Sequence, residues 1–323
     1  MKLRKDVVLA ILLATCILAC TSRDETEPKD AQEYLDRGNS LLQKGNLDQA
    51  IAAYNKALKI NPRYPEAYGK RGFVYGCKGQ YDQAIADYNR VLEIDPKNDK
   101  AYGGRGEAYS QKGQYDKAIS DFTQALEINP EDDKAYNSRG VAYSKNGQYD
   151  QAMTNFIRAI EINPSYVVAY YNRGNAYARK GQYDQAIIDY NRALEIHPGV
   201  ALFHNARGNA YANKGHYDQA ITDFTNALKI NPGLALAYHG RGGAFANKGE
   251  YNYAIADLNQ CLELNPKDTQ AYFLKGRLLE WAGKQKEALE AYQSLIKYTS
   301  PQETSLIQQA QERIKALETQ TKN

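Results

Sequence analysis

The chain has 323 residues, 43% of them hydrophobic, with 41 basic and 38 acidic side chains and a formal net charge of +3. Near balance of charge, with no basic run or stripe, argues against a nucleic-acid surface. A mean hydropathy of −0.68 suits a water-exposed body rather than a membrane-embedded one.

Met1 to Asp6 is short and basic, and Val7 to Ala19 is almost wholly apolar. That apolar run falls short of the roughly 20 residues a spanning helix needs. Residues 1–19 therefore read as a signal peptide, to be set aside from the fold. Its end, Ile17-Leu18-Ala19-Cys20, resembles the lipobox of bacterial lipoproteins; Cys16 fits less well because Thr15 precedes it. The resemblance implies that Cys20 is acylated, palmitate-like chains included, and becomes the mature N-terminus. Several acyl chains at about 0.8 kcal/mol per buried methylene make a firm anchor. Residues 20–30 are polar, contain Pro28 and lack an apolar period, so they read as a flexible tether. By the family's sorting rule, Thr21 after the cysteine implies the outer membrane, with the body in the periplasm.

From residue 31 to residue 302 a 34-residue unit runs eight times without insertion or deletion, over 31–64, 65–98, 99–132, 133–166, 167–200, 201–234, 235–268 and 269–302. A fixed period of this length predicts a solenoid, in which each unit buries its apolar face against its neighbours. In the third copy, Ala101, Tyr102, Gly106 and Tyr109 share one side of a first helix. Gly113 suits the left-handed conformation that ends helices. Asp116 favours the start of a second helix, whose apolar face is Ala118, Ile119, Phe122, Ala125, Leu126 and Ile128, and Pro130 stops it.

Counting from the first residue of each copy, Gly at position 8 and Ala at position 20 hold in all eight, from Gly38 to Gly276 and from Ala50 to Ala288. Pro at position 32 holds from Pro62 to Pro266 and shifts to Pro301 in the last. Aromatic residues dominate positions 4, 11 and 24. The pattern resembles the tetratricopeptide repeat (TPR) family. The resemblance implies an all-α, right-handed superhelical solenoid of eight helix-turn-helix repeats, with residues 303–323 as a capping helix and tail. In that last segment Leu306, Ile307, Ala310, Ile314 and Leu317 form one stripe. Of 27 tyrosines, 22 occupy positions 4, 11, 17 or 24, the slots that pack between helices, so the tyrosines are expected in the core.

Position 7 departs from the family's usual leucine and is basic throughout, with Arg37, Arg71, Arg105, Arg139, Arg173, Arg207, Arg241 and Lys275. Position 23 carries Asp87, Asp121, Asp189, Asp223 and Asp257, interrupted by Ala53, Asn155 and Ala291. These rows are expected to pair between helices as structural ion pairs rather than to form an anion-binding ladder. If exposed, each would contribute little. Cys77 and Cys261 lie more than five repeats apart and fit neither a disulfide nor a metal spacing; both read as structural, and no metal or other cofactor is expected.

In the family, positions 2, 5, 9, 12, 13, 33 and 34 line the concave groove and vary with the partner. Repeats 2–4 offer a mixed, charged lining, with Glu66, Phe73, Lys100, Glu107, Lys134, Val141 and Lys145. Repeats 5–7 carry Val168, Leu202 and Leu236 at position 2, with Tyr171 and His239 at position 5. Among them stand Asn172, Asn175, Asn205, Asn209, Asn213 and Asn247. An amide both donates and accepts, so such a row suits an extended peptide backbone. It resembles the asparagine ladder of the O-GlcNAc transferase superhelix, though it is shorter and less regular. The family's carboxylate clamp for chaperone tails is not reproduced, because Leu35 and Gly69 occupy its slot.

The four histidines form no i, i+4 pair, and no nucleophile, zinc-protease or phosphate-loop motif is present. The expectation is a non-enzymatic, lipid-anchored scaffold that binds a polypeptide in its groove, with no nucleic-acid or small-molecule partner. Its plan is similar to bacterial TPR lipoproteins that recruit periplasmic proteases and peptidoglycan hydrolases. The pilotins of pilus secretins share that plan with about six repeats. A self-assembling structural solenoid is the alternative, since near-identical repeats stack end to end.

Overall fold

The computed structural model describes residues 30–300, 302 and 304–320. The signal peptide, Cys20 and nearly all of the tether lie outside the described residues. The described residues form helices and turns in two compact units, the first ending at Ile128 and the second beginning at Asn129.

The first unit contains α1 (Ala31–Gln43), α2 (Leu47–Ile60), α3 (Pro65–Cys77), α4 (Tyr81–Ile94), α5 (Asp99–Gln111) and α6 (Tyr115–Ile128). The second contains α7 (Asp133–Lys145), α8 (Tyr149–Ile162), α9 (Val167–Arg179), α10 (Tyr183–Ile196), α11 (Ala201–Asn213), α12 (Tyr217–Ile230), α13 (Ala235–Asn247), α14 (Tyr251–Leu264), α15 (Thr269–Trp281), α16 (Gln285–Tyr298) and α17 (Thr304–Gln320). Within each unit, odd- and even-numbered helices pair as hairpins, and each hairpin packs on the next. Asp30, expected in the tether, instead caps α1 by accepting from the Glu33 amide at 2.8 Å.

Each hairpin turn is built on one glycine. Gly79, with φ of 72°, donates to the Gly76 carbonyl at 3.0 Å, and the Gln80 amide donates to the Tyr75 carbonyl at 2.9 Å. This pair of bonds satisfies carbonyls that a helix end leaves free, and only glycine adopts the required φ without strain. The same residue class recurs at all eight turns, from Gly45 to Gly283.

The helices of a hairpin approach closely because position 8 lacks a side chain. A Cβ on Gly174 would lie 2.7 Å from the Tyr190 ring. The alanines of position 20, such as Ala186 and Ala220, are fully buried against that contact. The tyrosines divide more sharply than expected. Those at position 24 (Tyr54, Tyr88, Tyr190, Tyr292) are buried, whereas most at positions 4, 11 and 17 are only half-buried. At the end of the second unit, Ala310 and Leu317 of α17 are buried in one cluster with Leu279, Ala288, Tyr292 and Leu295. The last hairpin is thereby covered by an amphipathic helix.

Candidate functional site

The cation row of position 7 lies inside the hairpins. Arg173 donates from Nε and Nη2 to both oxygens of Asp189 at 2.8 and 2.7 Å. Arg71–Asp87, Arg105–Asp121, Arg207–Asp223 and Arg241–Asp257 repeat the two-pronged geometry. The carboxylates are buried, Asp189 and Asp223 to 2% exposure, so the low energy of exposed, screened surface pairs does not apply to them. Burial pushes the Asp87 and Asp189 carboxyls up, and the facing guanidinium only partly offsets it. Position-4 tyrosines stack on the same cations, as Tyr170 does on Arg173 at 5.6 Å. In the sixth repeat His204 replaces that tyrosine, and its Nδ1 lies 3.2 Å from Asp223 instead. In these five repeats the Nε–Nη2 edge of the cation is engaged by the buried carboxylate, so these cations are part of the packing and present no ladder for an anion.

A second row escaped sequence analysis. Lys180 meets Asp150 at 2.6 Å and Lys248 meets Asp218 at 2.7 Å, each joining a turn to the preceding repeat. Lys112–Asp82 and Lys214–Asp184 pair likewise. The aspartates are largely exposed, so these contacts set register more than stability.

On the first helices of the second unit, Val168, Leu202 and Leu236 stand 41%, 46% and 59% exposed at the same slot of three consecutive repeats. Every other repeat places Gln, Glu or Lys there. Tyr171 is half-buried, with its ring 5.1 Å from Phe203 and 6.1 Å from Tyr190. The asparagines behave less uniformly than expected. Asn172 donates to Asn137 at 2.9 Å, and Asn175 accepts from the Tyr190 hydroxyl at 2.8 Å. Asn213 and Asn247 donate to carbonyls one turn back in their own helices. Asn205 is buried, and its Oδ1 finds no donor among the described residues.

Asn209 differs for a readable reason. Position-9 asparagines bond the position-24 hydroxyl where that residue is tyrosine, as Asn39 does with Tyr54 at 3.0 Å. In the sixth repeat position 24 is Phe224, which leaves the exposed Asn209 amide uncommitted. The face is thus an apolar rail with one free amide beside it, rather than a continuous amide ladder.

The first unit holds a cavity of about 750 Å³ between the first helices of repeats 2 and 3. Its walls include Tyr64, Phe73, Lys70, Lys100 and Val91, and Gly69 and Gly104 leave its floor without side chains. Phe73 is 53% exposed at its edge. Sequence analysis named Gly69 only as a departure from the carboxylate clamp; a Cβ there would meet only Val91, at 3.9 Å, whereas one on Gly104 would lie 2.4 Å from the Tyr88 ring.

His239, Cys261 and Asp268 converge in the seventh repeat. Nδ1 of His239 lies 2.8 Å from Oδ2 of Asp268, and the Cys261 thiol lies 3.5 Å from the same oxygen. Burial and the Asp268 charge push the Cys261 thiol up to about 12, which disfavours its thiolate. His239, placed in the groove by sequence, is thus tied to Asp268, with its side chain 30% exposed.

Paired helices closed by glycine turns, with a variable face on the first helix of each, define a repeat scaffold for contact between proteins. Models of the TPR repeat match residues 38–76, 78–113, 106–147 and 145–181. Models of the tetratricopeptide repeat match 167–199, 201–234 and 244–303. The chain belongs to the tetratricopeptide repeat family. No curated protein sequence matches it. Among solved structures, a tetratricopeptide repeat protein from Parabacteroides merdae is 22% identical with a TM-score of 0.61, covering 77% of this chain and 98% of that one. The Cut9-Hcn1 hetero-tetramer of the APC/C gives 18% and 0.62, covering 93% and 59%. Yeast Tom70 gives 18% and 0.58, covering 94% and 67%. At these identities the likeness is one of fold.

Proposed function

We propose that this chain is a non-catalytic adaptor, anchored through a lipid on Cys20 in a bacterial envelope, that holds an extended polypeptide along the first helices of repeats 5–7. The observation that carries the binding site is the rail of Val168, Leu202 and Leu236, exposed where every other repeat is polar. Exposed apolar residues aligned on one face mark an interaction surface, and a period of one repeat suits a ligand that runs across the hairpins. Asn209 supplies a donor and an acceptor for its backbone. The anchor reading rests on the sequence around Cys20; among the described residues no helix is long and apolar enough to cross a membrane. Fixed at the outer membrane, such a scaffold would bring its partner, for example an envelope protease or peptidoglycan hydrolase, to that surface.

Photocrosslinkers at Leu202 and Asn209 should capture one discrete partner, while one at Ile188, exposed at 65% on a second helix, should not. Replacing Leu202 and Leu236 by Gln removes apolar contact of roughly 2–3 kcal/mol, or on the order of 30–150-fold in Kd. Equal capture from Ile188, or unchanged affinity in the double variant, would move the site elsewhere. The cavity at Phe73 favours a second reading, in which a bulky side chain anchors in the first unit; Phe73→Ala would then carry the loss instead. Concentration-dependent growth in light scattering, abolished by the glutamines, would make the occupant another copy of the chain. Separately, Cys20→Ser should abolish incorporation of labelled fatty acid and free the protein from membranes. Persistent labelling would place the acyl group elsewhere.

A further inference from the structure

The eight repeats act as internal controls for the cluster at His239, Cys261 and Asp268. Position 27 is alanine in five other repeats and valine or leucine in two, so packing there does not call for a thiol. Position 34 caps the following helix. Asp268 does so with Oδ1, which accepts from the Ala271 amide at 2.9 Å. Asn98 does the same at 3.0 Å, with Gly69 and Val91 at positions 5 and 27 of its repeat. The cap therefore needs neither a histidine nor a cysteine beside it, yet the seventh repeat supplies both.

We propose that His239 Nδ1, Cys261 Sγ and Asp268 Oδ2 form a binding site for one divalent cation of the zinc or cobalt type. The three atoms lie within 4.8 Å of one another and come from three helical segments, α13, α14 and the cap of α15. Zinc bonds of about 2.3 Å to sulfur and about 2.0–2.2 Å to nitrogen and oxygen set tetrahedral ligands roughly 3.3–3.6 Å apart. The present 2.8 and 3.5 Å separations from Oδ2 need only a small opening at His239. Asp268 is held for the task, because its other oxygen is fixed by the cap. The thiol is fully buried, while the His239 side chain is 30% exposed, which leaves solvent access for a water as fourth ligand.

Charge favours the same assignment. On binding, the imidazole carries its proton on Nε2 and the thiol releases one proton to solvent. A dication, a thiolate and a carboxylate then sum to zero, so the half-buried site holds no net charge. A sulfur ligand disfavours calcium and magnesium, which take oxygen. The site stands apart from the polypeptide reading, since neither the rail nor Asn209 contributes a ligand.

Titration of the reduced full-length protein with Co(II) tests it. The expected result is one ion per chain, with a thiolate-to-cobalt charge-transfer band that zinc displaces. Cys261→Ala should lose the band with helicity and metal-free melting unchanged, because alanine already serves at this slot in five repeats. That variant leaves every other cysteine of the chain as it is, Cys77 included, so the difference reports on Cys261 alone. Asp268→Asn preserves the cap, as Asn98 shows, and it and His239→Ala should each weaken binding beyond the about 10–100-fold that outer-shell changes cost. Absence of the band in the reduced wild type, its survival in Cys261→Ala, or affinity indifferent to His239→Ala and Asp268→Asn would overturn the assignment.

Discussion

Asp189→Ala is expected to lower the unfolding free energy of the second unit by about 3–5 kcal/mol. The carboxylate is 2% exposed and accepts both bonds from Arg173, whose own side chain is 19% exposed. Truncation leaves a guanidinium enclosed between two helices, with Tyr170 on its face and no anion in front of it. The penalty comes from that stranded charge, not from the intrinsic worth of the pair. Two comparisons separate these ideas. Asp189→Asn should cost only about 1–2 kcal/mol, since Asn155 already fills this slot, accepting from Arg139 Nε at 2.7 Å and donating to the Gln151 carbonyl at 2.8 Å. Replacing both partners, Arg173→Met with Asp189→Leu, should be close to neutral. Urea unfolding followed by circular dichroism measures all three. A loss under about 1 kcal/mol for Asp189→Ala would mean that solvent reaches the pair and screens it.

That result bears on what the amino-acid pattern reveals. The hairpin and its turn are legible because they depend on backbone needs that one residue meets, as at Gly79 and Gly174. Pairing of positions 7 and 23 was legible from complementary charge, but its burial was not. Burial depends on how far the Tyr170 ring and the neighbouring hairpin close over the guanidinium. The asparagines misled for a similar reason. Whether Asn175 or Asn209 faces a ligand depends on a hydroxyl 15 residues away, present on Tyr190 and missing from Phe224. That dependence is written in the chain's own repeats, since Asn39 pairs with Tyr54 in the same way. The cluster at Cys261 escaped a search for linear metal spacings because its ligands meet across three helical segments. Its trace was a cysteine standing where five repeats have alanine. The cavity by Phe73 left the same kind of trace, as glycine at Gly69 where repeats 4–8 place a side chain. In an array this regular, function is read from departures, and each departure needs the packing around it before its meaning is fixed.

Phe224→Ala should cost about 3–5 kcal/mol and should do so locally. The ring is fully buried and lies over bare backbone on two sides. A Cβ on Gly208 would come within 3.0 Å of it, and one on Gly240 within 2.5 Å. Glycine neighbours have no side chain that could swing into the vacated space, so the hole persists and the transfer and cavity penalties add. Gly208 belongs to α11 and Gly240 to α13, so the ring ties its own hairpin to the next. In a nearest-neighbour array such a loss weakens one interface rather than the whole. Amide exchange should therefore accelerate first in α11, α12 and α13, while amides of the first unit keep their protection. The rail follows from the same geometry. Leu202 and Asn209 ride on α11 and Leu236 on α13, so Phe224→Ala should weaken polypeptide binding without touching a contact residue. Phe224→Leu, which refills most of the volume, should restore both protection and affinity. Uniform acceleration across both units would show that the repeats unfold as one block, and the ring would then be a core residue like any other, with no special hold on the binding face.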